Sequence, residues 1–289
     1  MKKNERNKNN PDKWDSIISS ENNFFNINLR ELFKYYELIY FFAKRDFVIF
    51  YKQTILGPIW YLLQPLIYTL VFTIIFGKVA KISTDEIPPF LFYFSGNVMW
   101  GFFASSLVLI SNTFITNKNI FGKVYFPRLV IPISNLSIGL TQFCIQFLFF
   151  MCFVIYYNFY IYDINFSLRY FLIPLLVIQI SLISIGFGIL LSSLTTKYRD
   201  LTFAMSFLVQ LWMFATPIVY PVSIIPDRFI FLAMLNPMTS VVETFRWIIF
   251  QTPIIDLKYI FLSLIITVIF LLLGALMFNR MEKTFMDTI

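Results

Sequence analysis

The chain has 289 residues, of which 58% are hydrophobic and 13% charged, with a formal net charge of +7. A soluble domain is about 45–50% apolar and about 25% charged, so a water-soluble globule, a disordered chain and a disulfide scaffold are all excluded. With no histidine and two cysteines eight residues apart in one apolar run, Cys144 and Cys152, the sequence offers neither the commonest metal ligand nor a disulfide framework.

Residues 1–28 are polar and rich in Asn and Lys, which reads as a flexible cytosolic tail. From Arg30 the pattern turns helical. Arg30, Lys34, Glu37, Arg45 and Lys52 fall on one stripe with a period near 3.6, flanked by Phe, Tyr and Ile. Residues 29–53 are therefore an amphipathic helix at a membrane interface, too charged to cross.

Uncharged runs follow. Gly57–Gly77 is one span, and Ile87–Asn117 is a short entry segment plus a second span, interrupted by Gly96, Asn97 and Gly101. Leu129–Tyr162 is a long third span, Tyr170–Thr196 a fourth, Leu201–Tyr220 a fifth and Tyr259–Phe278 a sixth. A bilayer needs roughly 20 apolar residues per helix. Phe229–Val242 is too short for that and is cut at Asn236-Pro237, so it reads as a re-entrant or interfacial hairpin between spans five and six. The expected fold is thus an all-α polytopic membrane protein, with a six-span domain over 54–280 and a cytosolic end at 281–289. A cytosolic N-terminus and six spans place 17 of the 23 Lys and Arg residues inside, as the positive-inside rule requires.

Active transport needs an energy source, and this chain lacks the obvious ones. There is no GxxxxGK-[ST] loop to cradle ATP phosphates. The six runs carry no Asp, Glu, Lys or Arg to couple a proton or sodium gradient. Asn97, Asn135, Gln142, Gln146, Gln179 and Gln210 remain, and their plain reading is interhelical hydrogen bonding. Glu243 and Arg246, three apart, read as an intrahelical ion pair. No acid, base or nucleophile set supports catalysis, and no metal or cofactor site is expected. Two other classes, a membrane-embedded glycosyl- or acyltransferase and an ion-driven transporter, are disfavoured on the same grounds.

Six stretches carry a resemblance: KRDFVIFYKQTILGPIWYLLQPL (44–66), FTIIFGKV (72–79), KVYFPRLVIP (123–132), SSLTTKYRDL (192–201), LWMFATPIVYP (211–221) and LNPMTSVVETFRW (235–247). In sequence and order they resemble the ABC-2 type permeases of bacterial polysaccharide exporters, in the O-antigen (lipopolysaccharide) branch, with teichoic-acid and capsule exporters sharing the motifs. The resemblance implies a homodimer in the bacterial inner membrane with both termini cytosolic, working with two copies of a separate ATPase that binds ATP and Mg. The cargo it implies is a lipid-linked polysaccharide, with membrane lipids around the protein and no nucleic acid. It also implies an aromatic-lined conduit from the first, second and fifth spans, for which this sequence offers Trp60, Tyr61, Tyr68, Trp100, Phe102, Phe103 and Trp212. Arg45, Lys123, Tyr125, Phe126, Arg128, Lys197, Arg199 and Asp200 would meet the ATPase. Pro221, Pro226, Pro237, Glu243 and Arg246 would shape an outer gate.

Overall fold

The computed structural model describes residues 29–52, 54–121, 123–124, 126–160, 167–198 and 200–288, and among these every regular element is helical. The tail over 1–28, together with Tyr125 and Arg199, lies outside the described residues.

The amphipathic segment forms α1 (Leu29–Lys34) and α2 (Tyr36–Lys52), parted only by a turn at Tyr35. Phe42 faces inward from α2, while Phe33, Tyr40 and Ile49 stay exposed. A 3₁₀ turn, Gly57–Ile59, has Pro58 in its first turn, where a missing N–H costs nothing, and leads into α3 (Trp60–Phe72). Pro65 lies inside α3, and the chain closes in π-helical turns over Thr73–Val79.

The second apolar run forms one helix, α4 (Pro89–Ser111), started by Pro89 and unbroken through Gly96, Asn97 and Gly101. No separate entry segment forms within Ile87–Asn117, because α4 begins at Pro89; the loop before it has positive φ at Lys81, Asp85 and Glu86. Gly96 does not break the helix because its work is clearance. A Cβ there would stand 2.9 Å from Ile218 Cγ2 and 3.2 Å from Arg246 Nη2.

Short helices α5 (Thr113–Thr116) and α6 (Lys118–Phe121) lead to α7 (Val130–Tyr160), the long third apolar segment. Then come α8 (Ile173–Lys197), preceded by a 3₁₀ turn, and α9 (Asp200–Ala215). The last elements are α10 (Asp227–Met234), α11 (Pro237–Phe250) and α12 (Leu257–Thr288).

Among the described residues, five segments are long and apolar enough to cross a bilayer: Gly57–Val79, Pro89–Ser111, Val130–Tyr160, Leu168–Lys197 and Leu257–Arg280. The predicted fifth span is shorter than expected. Its helix α9 has 16 residues, about 24 Å at 1.5 Å per residue against a hydrocarbon core of about 30 Å. Pro217 explains the stop, because a proline disfavours helix at the residue before it. Thr216, that residue, turns its hydroxyl back onto Trp212 O at 3.0 Å.

The bundle is built around α4, most of whose span is buried, and which packs on α3, α7, α8 and α11. Its core is dense in phenylalanine: Phe92, Phe94, Phe102, Phe103, Phe150 and Phe245 are all fully enclosed. Helices α8 and α12 cross closely through Gly186 and Gly274. A Cβ on Gly186 would stand 2.7 Å from Leu271 N. Three of the six predicted amides tie helices together: Asn97 Nδ2 donates to Thr69 Oγ1 (3.1 Å), Asn135 Nδ2 to Thr113 Oγ1 (3.2 Å), and Gln179 Nε2 to Ser263 Oγ (2.9 Å). Such bonds contribute about 0.6 kcal/mol on average between membrane helices. Cys144 and Cys152 are exposed free thiols.

Candidate functional site

Two ends of the bundle and one aromatic stripe hold the predicted residues. At one end, α11 begins on Pro237 with Asn236 as its cap, whose Oδ1 accepts from Met238 N at 3.1 Å. Asn236 also donates from Nδ2 to Thr216 Oγ1 at 2.8 Å, which pins the hairpin to the loop that follows α9. Pro221 and Pro237 are buried, and Pro226 is exposed at the start of α10. Pro221 precedes the 3₁₀ turn Val222–Ile224, Pro226 precedes α10, and Pro237 begins α11.

Glu243 and Arg246 do pair, with Arg246 Nη1 2.8 Å from Glu243 Oε1. The pair is only part of the arrangement. Arg246 is 1% exposed and donates to Pro217 O at 2.7 Å and Ile218 O at 3.1 Å, with Phe92 O at 3.5 Å. Its guanidinium lies 3.6 Å from the centre of the Phe92 ring. One side chain therefore joins α11, α4 and the loop after α9. Those carbonyls are left open because Pro217 ends α9, and arginine's planar fork of five donors can serve several at once. Asp85, in the positive-φ loop, accepts from Ser223 Oγ at 2.8 and 3.0 Å, a second tie across the same end.

At the other end, a ladder of rings replaces the expected open surface. Phe126 stacks on Phe121 at 5.6 Å and packs on Phe42 at 5.8 Å, while Phe121 meets Phe114 and Phe114 meets Phe278. Phe126 is 5% exposed, so it positions the 118–130 segment rather than offering a ring to a partner. Lys123, Lys197 and Asp200 are exposed, and Arg128 is half-buried. Arg45 is held from both sides, with Nε 2.7 Å from Asp46 Oδ1 and Nη2 3.5 Å from Asn117 Oδ1. Thr195 Oγ1 donates to Ser111 O at 2.7 Å, joining the end of α8 to the end of α4.

The aromatic set divides by burial. Phe102 and Phe103 are fully enclosed; Phe102 packs on Phe143 at 5.2 Å. Trp100, Phe103 and Trp212 form one cluster that reaches Phe187, with ring separations of 5.1–6.2 Å. Tyr61 is buried against Phe47. Trp60 and Tyr68 alone of the seven are exposed, at 41% and 48%. Composition marked all of them as aromatic and could not separate them. The carbonyl partners of Arg246 were equally hidden, since a backbone oxygen carries no sequence signal.

Among the described residues no group of His, Cys, Asp and Glu could hold a metal ion. The charged residues of the five long segments, Lys78, Arg169, Lys197, Lys258 and Arg280, sit near their ends. A bundle of long apolar helices joined by buried polar ties is the build of a polytopic membrane protein. The chain belongs to the ABC-2 type transporter family, whose model matches residues 37–250. It is 29% identical over 260 residues to an O-antigen export system permease protein RfbA of Klebsiella pneumoniae, covering 87% of this chain and 95% of that protein. It is 26% identical over 264 residues to a protein of the same name from Myxococcus xanthus, covering 90% and 98%.

Proposed function

We propose that this chain is the membrane subunit of an ATP-driven exporter that carries lipid-linked O-antigen polysaccharide from the cytosolic to the outer face of the bacterial inner membrane. The carrying observation is the similarity, along nearly the whole of both chains, to proteins named as O-antigen export permeases. The absence of a phosphate-binding loop in the sequence supports a separate motor. In this reading the chain works as a homodimer with two ATPase subunits, which bind ATP and Mg.

The unpartnered apolar faces of α3 and α9 support a second copy there. Ile67, Tyr68 and Val71 of α3, Ile74 in the π-helical turns after it, and Phe203, Phe207, Leu211 and Phe214 of α9 are exposed. Trp60 and Tyr68 would face the conduit, offering flat rings to the C–H faces of passing sugars. Arg45, Lys123, Tyr125, Arg128, Lys197, Arg199 and Asp200 would lie at or near the ATPase contact. Helix α9 would complete a sixth crossing together with the α10–α11 hairpin, which enters from outside and returns as the gate. Both termini would then be cytosolic.

The test is reconstitution. Proteoliposomes holding this chain and its ATPase should move lipid-linked glycan only when ATP is supplied. Glycan crossing with this chain alone would overturn the reading.

A further inference from the structure

Helix α2 packs along the first few turns of α7, and between them runs an open groove of about 370 Å³. The size falls in the range of small-molecule sites, about 300–1,000 Å³. Its floor is apolar, formed by Ile39, Ala43 and Phe47 of α2 and Ile138 of α7. The 31 residues of α7 make a helix of about 46 Å, about 16 Å more than a hydrocarbon core of about 30 Å. Ser137 and Thr141, on the groove's α7 side, come about 10–16 Å along it from Val130. The charged helix α2 belongs outside the hydrocarbon, so the turns of α7 against it stand at headgroup level.

Two donors of the lining are open and reachable. Lys44 is exposed, with its ammonium 5.9 Å from the centre of the Tyr40 ring, and among the described residues no carboxylate pairs with it. Tyr40, one turn earlier on the same face, is 66% exposed, and its hydroxyl bonds to none of the described residues. The other hydroxyls of the rim are committed. Ser137 Oγ donates to Ile133 O and Thr141 Oγ1 to Ser137 O, each at 2.9 Å, while Tyr36 OH donates to Glu37 Oε1 at 3.1 Å. The neighbouring Arg45 is held by Asp46.

This pattern selects the ligand. One uncompensated cation and one hydroxyl above an apolar floor call for a group rich in acceptors joined to a hydrocarbon chain. A phosphodiester accepts hydrogen bonds and donates none, so it satisfies both donors at once, whereas a small polar solute would leave the floor uncovered. A zwitterionic headgroup brings a second cation beside Lys44, so an anionic one fits better. We propose that the groove between α2 and α7 is a binding site for an anionic glycerophospholipid, its phosphate on Lys44 and Tyr40 and one acyl chain along Ile39, Ala43, Phe47 and Ile138. The lipid is a resident of the bilayer, distinct from any exported cargo, and it fastens α2 to the first turns of α7.

The test uses the full-length chain, purified in detergent and incubated with phosphatidylglycerol, phosphatidylcholine or a polyprenyl phosphate, with bound lipid counted by native mass spectrometry. Phosphatidylglycerol should be retained most. Lys44→Gln should lower its retention about fivefold, the effect of one cation at an anionic bilayer surface. Tyr40→Phe should lower it about two- to tenfold, the effect of one hydrogen bond. Lys44→Arg should keep it, and Ala43→Trp, which fills the floor, should expel it with Lys44 intact. Lys118→Gln, at an exposed lysine outside the groove, should leave retention unchanged. Equal retention of phosphatidylglycerol and phosphatidylcholine overturns the site, and so does an equal loss from Lys44→Gln and Lys118→Gln, the mark of a merely basic surface. Stronger retention of the polyprenyl phosphate overturns it as well, by giving the groove to a different lipid. Neither ATPase nor glycan enters these readouts, so the lipid site and the exporter reading fail separately.

Discussion

Removing Arg246 should be among the most damaging single changes in this molecule, although the residue touches neither the aromatic stripe nor the exposed charges. Arg246→Met keeps much of the side chain's volume and deletes its donors. The change orphans Pro217 O and Ile218 O, strips Glu243 of its partner and removes the cation from the Phe92 ring. Breaking one side of a buried ion pair costs about 3–5 kcal/mol. At about 2–4 °C per kcal/mol for chains of 150–250 residues, that is a fall in Tm of roughly 6–20 °C. Detergent-solubilised protein, followed by fluorescence-detected size exclusion after heating, gives the number. The carboxylate's share is read from a double-mutant cycle with Glu243→Gln. Because the charge left behind by Arg246→Met is that of Glu243, the double variant should recover part of the loss, with a coupling of about 0.5–3 kcal/mol. Arg246→Lys should fall between, since an ammonium on a single stem cannot reach both carbonyls and the carboxylate in one plane. A Tm shift under about 2 °C for Arg246→Met, or coupling indistinguishable from zero, would refute the account.

Three more outcomes follow from the packing. Gly186→Leu should abolish folded protein in the membrane fraction, because even a Cβ there meets the α12 backbone at 2.7 Å; normal levels on an immunoblot would show that α8 and α12 can separate without cost. Phe126→Asp should lower protein level by putting a charge inside the ring ladder, whereas Lys123→Asp, at an exposed site, should keep the level and reduce ATP-dependent export in vesicles. Tyr68→Ala should slow glycan export at normal protein abundance, while Tyr61→Ala, on a buried ring, should reduce Tm by several degrees, as truncation of a buried aromatic costs about 3–5 kcal/mol; the reverse pattern would exchange their roles.

Much of the helical plan was legible because a bilayer converts composition into geometry. A run such as Leu129–Tyr162 has one stable form in lipid, and α7 follows it almost end to end. Asn236-Pro237 announced the start of α11 for a local reason: the amide caps the helix and proline begins it. The length of α9 was not legible, because hydropathy continues through Ile218 and Val219 while the helix stops at Ala215. What ends it is Pro217, together with an arginine some thirty residues later that takes up the freed carbonyls. Gly96 misled for a related reason. A glycine in a helix reads as a weak point, yet here it is the space through which the Ile218 backbone and the Arg246 fork pass. Phe126 and Tyr61 show the same limit at the candidate surfaces, since an aromatic ring has one composition and two possible fates.

Those packing differences also bear on which parts can move. Helices α4, α8 and α12 are locked by glycine-level contact and by the ring cluster from Trp100 to Phe270, so shifting one against another would open voids that a close-packed interior resists. Helix α9 is different: only Met205 and Val209 of its 16 residues are buried, and its far end is held by the loop that Arg246 grips. Motion driven from the α2 end would then be carried most cheaply by α9 and α10, since α11, with 12 of its 14 residues buried, stays with the central helices. On that argument, disulfide-locking Ser223 to Asp85 through paired cysteines should arrest export under oxidising conditions without lowering Tm, and reduction should restore it. Export that continues through the locked pair would show that this end of the molecule need not open along that seam.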